Sequence, residues 1–293
     1  MPQRLAETLL PIESRLPIEI RPRDVASTGD APVQRAFDRM SLFLDVDGTL
    51  VEFASRPDAV YVDARLHDAL AAVYAGLGGA LAIVSGRNVA DLSRLFAPLS
   101  FSVVGLHGAE WRNAGRRTIH RITISQMPAA LRADVEAVAR AMQASMIEDK
   151  GVCVAVHHTG EPTLQARLYG ALCEVAARAG PDWAVMAGRR VLEVKPALVD
   201  KGSACERLLR EPPFAGTVPV AFGDDITDLD MFEAIDAAGG VTVGVGPRIR
   251  GSARHHVNGP IDVVCALEWL AEHVGRDDPT ELIRRAVASL SGR

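Results

Sequence analysis

The sequence predicts an α/β fold in which a parallel sheet is wrapped by helices and interrupted by a smaller α+β insertion. Three observations predict it. Short apolar runs (Ser41–Leu44, Leu81–Val84, Ser102–Val104, Val218–Phe222 and Val241–Val245) each end in a polar or glycine-rich loop. Helical segments separate these runs, the alternation that builds parallel sheets. From about residue 116 to 190 the alternation lapses into an extended piece, two helices and a strand.

Residues 1–38 are rich in Pro, Arg and Asp without clear periodicity and read as a loosely ordered arm. The strand Ser41–Leu44 runs into an acidic turn, and a helix follows near Asp63–Tyr74. From Ala69 to Gly86 no residue is charged, about the length at which a membrane span is weighed. Gly76-Leu77-Gly78-Gly79 splits that stretch, so helix, glycine turn and buried strand Leu81–Val84 is the reading. A helix begins near Val89, and the third strand ends in Gly105-Leu106-His107-Gly108. The insertion is expected to hold a helix around Ala130–Ala144, a strand Val152–Val156 and a helix near Leu164–Ala179. Then come a helix from Lys201, the strand Val218–Phe222, a helix from Asp228, the strand Val241–Val245 and a helix over Ile261–Val274. The tail after Gly275 reads as loosely attached. The boundaries are thus an arm at 1–38, a core at 39–115 and 196–275, an inserted domain at 116–195 and a tail at 276–293.

Composition narrows the function classes. With 293 residues, 48% hydrophobic and 24% charged, the chain has the profile of a soluble globular protein of about two domains. A net charge of -5 offers no basic field, so neither nucleic acid nor a membrane is an expected partner. An anionic small molecule would have to be recognised by a few local cations. Cys153, Cys173, Cys205 and Cys265 form no C-x-x-C pair, which favours free buried thiols in a reducing cytoplasm. The first twenty residues lack a signal peptide's apolar core. His157-His158 and His255-His256 are adjacent pairs, and neighbours on a strand face opposite ways, so zinc chelation is disfavoured. Gly244-Val245-Gly246 is followed by Pro247 and reads as a loop rather than a dinucleotide site.

The chemistry concentrates at strand ends, where parallel α/β sheets place their ligands. Asp45 and Asp47 stand two apart after four buried residues, and Gly48 lets the chain turn away. Carboxylates this close repel, so a divalent cation or a raised pKa is expected. Gly223-Asp224-Asp225-Ile226-Thr227-Asp228 follows another buried strand. Helix capping accounts for one or two of these groups, Thr227 and Asp228 being the expected ones, but not for Asp224 beside Asp225. Hard carboxylate oxygens suit Mg²⁺. Ser85 closes a third strand, where its hydroxyl either donates to a phosphate or caps a turn. Lys201 opens a helix, where the macrodipole disfavours a cation. It answers either a bound anion or the neighbouring Asp200.

The order of these motifs resembles that of the haloacid dehalogenase superfamily of phosphatases, a Rossmann-like parallel-sheet core with an inserted α+β cap. In detail it is similar to the trehalose-6-phosphate phosphatases. The pieces that match are Leu44-Asp45-Val46-Asp47-Gly48-Thr49-Leu50, Ile83-Val84-Ser85-Gly86-Arg87, Gly105-Leu106-His107-Gly108-Ala109-Glu110, Glu148-Asp149-Lys150-Gly151, Leu192-Glu193-Val194-Lys195-Pro196 and Gly223-Asp224-Asp225-Ile226-Thr227-Asp228. The resemblance covers roughly residues 40–272. It implies Asp45 as nucleophile and Asp47 as general acid and base. It implies Mg²⁺ held by Asp45, Asp224 and the Asp47 backbone carbonyl, with Asp225 or Asp228 in support. Ser85, Gly86 and Lys201 would hold the phosphoryl group, and Arg87, His107, Glu148, Lys150, Arg189 and Glu193 would meet the sugar. A sugar-phosphate substrate and a separate trehalose-6-phosphate synthase in the same pathway are the implied partners. Where the family usually has His-Tyr-Arg, this chain has His157-His158-Thr159. That keeps sucrose-phosphate or mannosyl-phosphoglycerate phosphatase activity open, together with a non-catalytic sugar-phosphate sensor.

Overall fold

The computed structural model describes residues 40–53, 60–122, 126–188, 190–273 and 278–289. The predicted arm at 1–38 and Arg189 lie outside these residues. The eight-stranded core sheet contains β1 (Met40–Leu44), β2 (Leu81–Val84), β3 (Ser102–Gly105), β4 (Glu110–Arg112), β5 (His120–Arg121), β10 (Val218–Gly223), β11 (Val241–Val245) and β12 (His255–Val257). Their spatial order is β12-β11-β10-β1-β2-β3-β4-β5. The six strands from β12 to β3 run parallel, and β4 and β5 add an antiparallel edge.

Burial explains the composition of the central strands. Every residue of β1, β2 and β3 is buried, as is nearly all of β10, because helices cover both faces of such a sheet. The core helices are α1 (Ala64–Gly76), α2 (Val89–Leu95), α5 (Lys201–Leu209), α6 (Leu229–Ala237), α7 (Pro260–His273) and α8 (Pro279–Ala288). Side chains fix several starts: Asp63 accepts from the Leu66 N–H ahead of α1, and Asn88 accepts from the Asp91 N–H at α2.

The insertion folds on its own apolar cluster. An antiparallel sheet of order β6-β7-β9-β8 is built from β6 (Met146–Asp149), β7 (Val154–His157), β8 (Trp183–Gly188) and β9 (Val191–Pro196). It packs on α3 (Ala129–Ala141) and α4 (Pro162–Ala179) through Leu131, Val135, Val154, Val156, Leu168, Leu172, Leu192 and Val194. A third, small cluster joins the two parts: Leu106, Ala109 and Val199 from the core meet Val152 and Cys153 of the insertion.

Two expectations are corrected. The tail is not loosely attached: α8 buries Leu282, Ile283 and Ala286 in the main core, and Asp278 caps its start. Its apolar face repeats at three- and four-residue spacing, which suffices to dock a ten-residue helix. The cysteines are free, but only Cys153 and Cys205 are buried, while Cys173 and Cys265 are half-buried.

Among the described residues no helix is long and apolar enough to cross a membrane. From β1 the chain builds the sheet one way through β2 and β3, and from β10 the other way through β11 and β12. The crevice at the carboxyl ends of β1 and β10 is therefore the switch point of the sheet, where ligands bind in open α/β folds.

Candidate active site

The register of the two central strands assembles the acidic groups. Leu44 lies opposite Phe222, and the Asp45 N–H extends the ladder to the Phe222 carbonyl at 3.1 Å. Asp45 and the Gly223-Asp224 turn consequently leave the sheet side by side. Gly48 adopts φ +93°, and a Cβ there would come within 2.3 Å of Asp224 Oδ2. Only glycine lets the turn after Asp47 close onto the second acidic cluster.

Lys201 is the cation beneath this cluster. Its Nζ donates to Asp45 Oδ1 and to Asp228 Oδ1, each at 2.6 Å, with all three side chains buried. Asp200 caps α5 through the Ser203 N–H rather than neutralising Lys201. Burial pulls the ammonium towards neutrality, but Asp228 and Asp45 outweigh it and hold its pKa above the ordinary lysine range. Asp228 is fully engaged: its second oxygen accepts from the Asp224 and Asp225 N–H groups, both at 3.0 Å. Asp225 caps the following turn by accepting from the Ile226 N–H, and it pairs with Arg248 at 3.0 Å. The caps are therefore Asp225 and Asp228, not Thr227.

The metal assignments sort themselves by which oxygens are free. Oxygens of Asp45, Asp224 and Asp228 lie within 4.8 Å of one another. Asp224 Oδ1 is buried with no hydrogen-bond partner among the described residues. Burial, then the charges of Asp45 and Asp228, push the Asp224 carboxyl up to about 9. Asp45 is pushed up to about 7, first by burial and then by Asp228 and Asp47, against the pull of Lys201. Such a cluster ionises together only beside added positive charge, so a hard divalent cation fits Asp45 and Asp224. Asp228 fits as the group that anchors Lys201. The Asp225 carboxylate pairs with Arg248 and caps its own turn, and the Asp47 carboxylate is held by Arg87, while the ligand expected of Asp47 is its backbone carbonyl.

The Arg87 guanidinium grips Asp47 with two bonds of 2.7 Å, from Nε to Oδ2 and from a terminal nitrogen to Oδ1. The residue expected to meet the sugar is thus turned onto the expected acid–base. Ser85 is buried at the end of β2; its Oγ accepts from the Arg87 N–H at 3.2 Å, and its own proton is left to donate.

The insertion closes over these strand ends and leaves a cavity of about 810 Å³. Asp45, Asp47, Ser85, Gly86, Arg87, His107, Glu148, Lys150, Glu193, Lys201, Asp224 and Asp225 all border it. Here too the charged groups are paired. Glu193 accepts from Lys150 at 2.9 Å and from the His107 ring at 2.7 Å, and Lys150 also donates to the Gly86 carbonyl at 3.1 Å. Burial pushes Glu193 up, yet Lys150 and His107 hold it far below the carboxylate range. Burial keeps His107 below the ordinary histidine value despite Glu193. Glu148 pairs with His157 at 3.3 Å.

Sequence reasoning missed Arg248, His158, Thr227 and Arg190, of which the last three border the cavity. Arg248 reaches Asp225 from the loop after β11, and Arg190 sits in the turn between β8 and β9. Neither belongs to a local motif. His158 belongs to an adjacent histidine pair, a pattern whose only sequence-level signal is metal binding.

Comparison with known proteins agrees with this geometry. The family model for trehalose-phosphatase matches residues 43–262. A probable trehalose-phosphate phosphatase of Sinorhizobium fredii is 40% identical over 215 residues, covering 73% of this chain and 81% of that protein. The trehalose-6-phosphate phosphatase of Escherichia coli is 33% identical over 208 residues, covering 70% of this chain and 76% of its own length. The C-terminal domain of the Candida albicans trehalose-6-phosphate phosphatase superposes with a TM-score of 0.73 at 24% identity, over 81% of this chain and 94% of that one, and shares the fold. Because the match runs through the core, the insertion and every strand end described above, the chain belongs to the trehalose-phosphatase family.

Proposed function

We propose that the protein hydrolyses trehalose 6-phosphate to trehalose and phosphate, with Asp45 as nucleophile and Asp47 as general acid and base. The observation that carries this reading is the convergence of Asp45, Asp47, Ser85, Lys201 and Asp224 on one wall of a capped, polar cavity. A carboxylate with one oxygen held by a buried ammonium, beside an acid and a hydroxyl donor, is what phosphoryl transfer to an aspartate requires.

Lys201 holds one Asp45 oxygen, leaving the other to attack phosphorus in line with the departing sugar oxygen. As the phosphorus–sugar oxygen bond breaks, Asp47 donates a proton to that oxygen. Asp47 must first leave the bidentate grip of Arg87 and take up a proton from solvent, and Arg87 then has two donors for the phosphoryl oxygens. In the second step Asp47 takes a proton from water, whose oxygen attacks phosphorus and releases phosphate and a free Asp45. Ser85 donates to a phosphoryl oxygen throughout. Mg²⁺ bound by Asp45 and Asp224 would supply the charge that offsets nucleophile and phosphate. The insertion excludes water and selects the sugar. We infer that the substrate comes from a separate synthase and that the reaction is cytoplasmic, in keeping with free thiols.

The decisive assay is phosphate release with Mg²⁺ from trehalose 6-phosphate, sucrose 6-phosphate and mannosyl-phosphoglycerate. Preference for either of the last two overturns the substrate. Asp47→Asn is expected to lose about 10²–10⁴-fold in turnover, and near-normal turnover would sink the acid–base assignment. Asp45→Asn should leave no acid-stable phosphorylated protein.

A further inference from the structure

The cap wall of the cavity contains a hydrogen-bond donor that no group among the described residues satisfies. His158 follows β7 directly and is only 3% exposed. Its Nδ1 accepts from the Gly160 backbone N–H at 3.1 Å. In the neutral ring the proton therefore sits on Nε2. Burial first, then the neighbouring His157 and Arg190, disfavours the charged ring. That Nε2–H is buried and without a partner, although His158 borders the cavity. A buried donor with no acceptor is a standing cost unless a ligand supplies the acceptor.

Arg190 stands beside it. The turn residue has φ +56°, and its carbonyl accepts from the His158 N–H at 2.9 Å. A Cβ on Gly160 would come within 2.9 Å of Arg190 Nε, so the side chain lies across the glycine next to His158. The guanidinium is exposed, borders the cavity and forms no ion pair among the described residues. Both groups belong to the insertion, whereas Asp45, Ser85 and Lys201 belong to the core.

We propose that His158 and Arg190 form a specificity subsite for the sugar ring that carries no phosphate, offering a fixed neutral donor and a cation to its hydroxyl oxygens. The proposal rests on the sugar-phosphatase reading above. A neutral ring suits this wall better than an anionic group, because Glu148 and Asp91 border the same cavity and would repel a carboxylate.

The test compares kcat/KM for trehalose 6-phosphate with that for p-nitrophenyl phosphate, which has no second sugar. His158→Phe keeps the bulk and removes the donor; Arg190→Asn keeps a residue that tolerates the left-handed backbone. In each variant the ratio of the two kcat/KM values should fall about tenfold or more, as when a buried donor loses a hydroxyl partner. Equal losses on both substrates, or an unchanged ratio, overturn the subsite. If His158→Phe does not fold, Arg190→Asn decides alone, since its side chain is exposed. A wild-type preference for mannosyl-phosphoglycerate that Arg190→Asn abolishes also overturns it, in favour of an anionic group. Should another neutral disaccharide phosphate prove the substrate, the substrate assignment fails, and the same ratio taken with that compound still judges the subsite.

Discussion

Neutralising Asp224 should stabilise the metal-free protein while destroying its activity. Asp45, Asp224 and Asp228 bring oxygens within 4.8 Å of one another, and Lys201 bonds only the first and last. At that distance and an effective dielectric of about 20, two like charges repel by about 3.5 kcal/mol. Asp224 faces two such neighbours, and Lys201 and partial protonation offset much of the sum, so relief of roughly 2–3 kcal/mol is expected. No hydrogen bond is lost on the inner side, because Asp224 Oδ1 has no partner. For a chain of this size each kcal/mol moves Tm by about 2–4 °C. Asp224→Asn should therefore melt about 4–12 °C above wild type in EDTA. Adding Mg²⁺ should raise wild type by mass action and leave the variant nearly unmoved. Differential scanning fluorimetry at pH 7.5, with EDTA and then with excess Mg²⁺, reads both effects. A variant that melts at or below wild type in EDTA, or gains equally from Mg²⁺, refutes the charge-crowding account.

Lys201→Met should act in the opposite direction, losing about 3–5 kcal/mol in EDTA by leaving Asp45 and Asp228 buried without their cation; unchanged melting contradicts it. Arg87→Met should lower kcat, and combined with Asp47→Asn it should cost clearly more than Asp47→Asn alone, because Arg87 serves the phosphoryl oxygens once Asp47 has left it; a double variant no slower than Asp47→Asn in steady-state kinetics would contradict that role. Burial holds His107 below its ordinary value near 6.5, so the unfolded chain binds the proton first and stability is lost as pH falls below about 6.5. Glu193, held low by Lys150 and His107, loses its contribution only as pH falls below about 4.5. Urea unfolding at pH 7.5, 6.5 and 5.5 should show a shallower decline for His107→Gln than for wild type. Part of the decline will persist, because His158 and His255 are shifted the same way.

The core was legible because its strands are uninterrupted apolar runs that end in glycines and carboxylates. β1, β2, β10 and β11 appear within a residue or so of their predicted bounds. Strands with mixed faces left weaker traces. β6 reads Met-Ile-Glu-Asp and β8 is half-buried along nearly its whole length, so neither alternates cleanly enough to be seen. The tail is hard to read for a related reason, since α8 carries four charged or polar residues in ten and docks through a narrow stripe. At the site, residue types at strand ends located Asp45, Asp47, Ser85, Lys201 and Asp224, but sequence could not say who pairs with whom. Asp225 and Asp228 are three apart and chemically alike. Only the fold shows that one turns to Arg248 and the other to Lys201. Arg190 faces the cavity through a tertiary contact with the end of β7, which no local spacing encodes.

The pairing pattern itself indicates what the cavity is built to receive. Its charges are largely spent on one another: Arg87 on Asp47, Lys150 and His107 on Glu193, His157 on Glu148, and Lys201 on Asp45 and Asp228. Among the described residues, the polar atoms bordering the cavity that stay buried without partners are Asp224 Oδ1, His107 Nδ1 and His158 Nε2. Asp224 Oδ1 can be satisfied by a cation. His107 gives its Nε2–H to Glu193, so its Nδ1 is an acceptor in the neutral ring. His158 Nε2 is a donor. An acceptor and a donor on neutral rings match hydroxyl groups, which do both, and give no preference to a second charge. A cation at the core end and an uncharged polyol under the cap would together satisfy all three atoms, whereas a lone phosphate or a doubly anionic ligand would leave at least one of them unpaired.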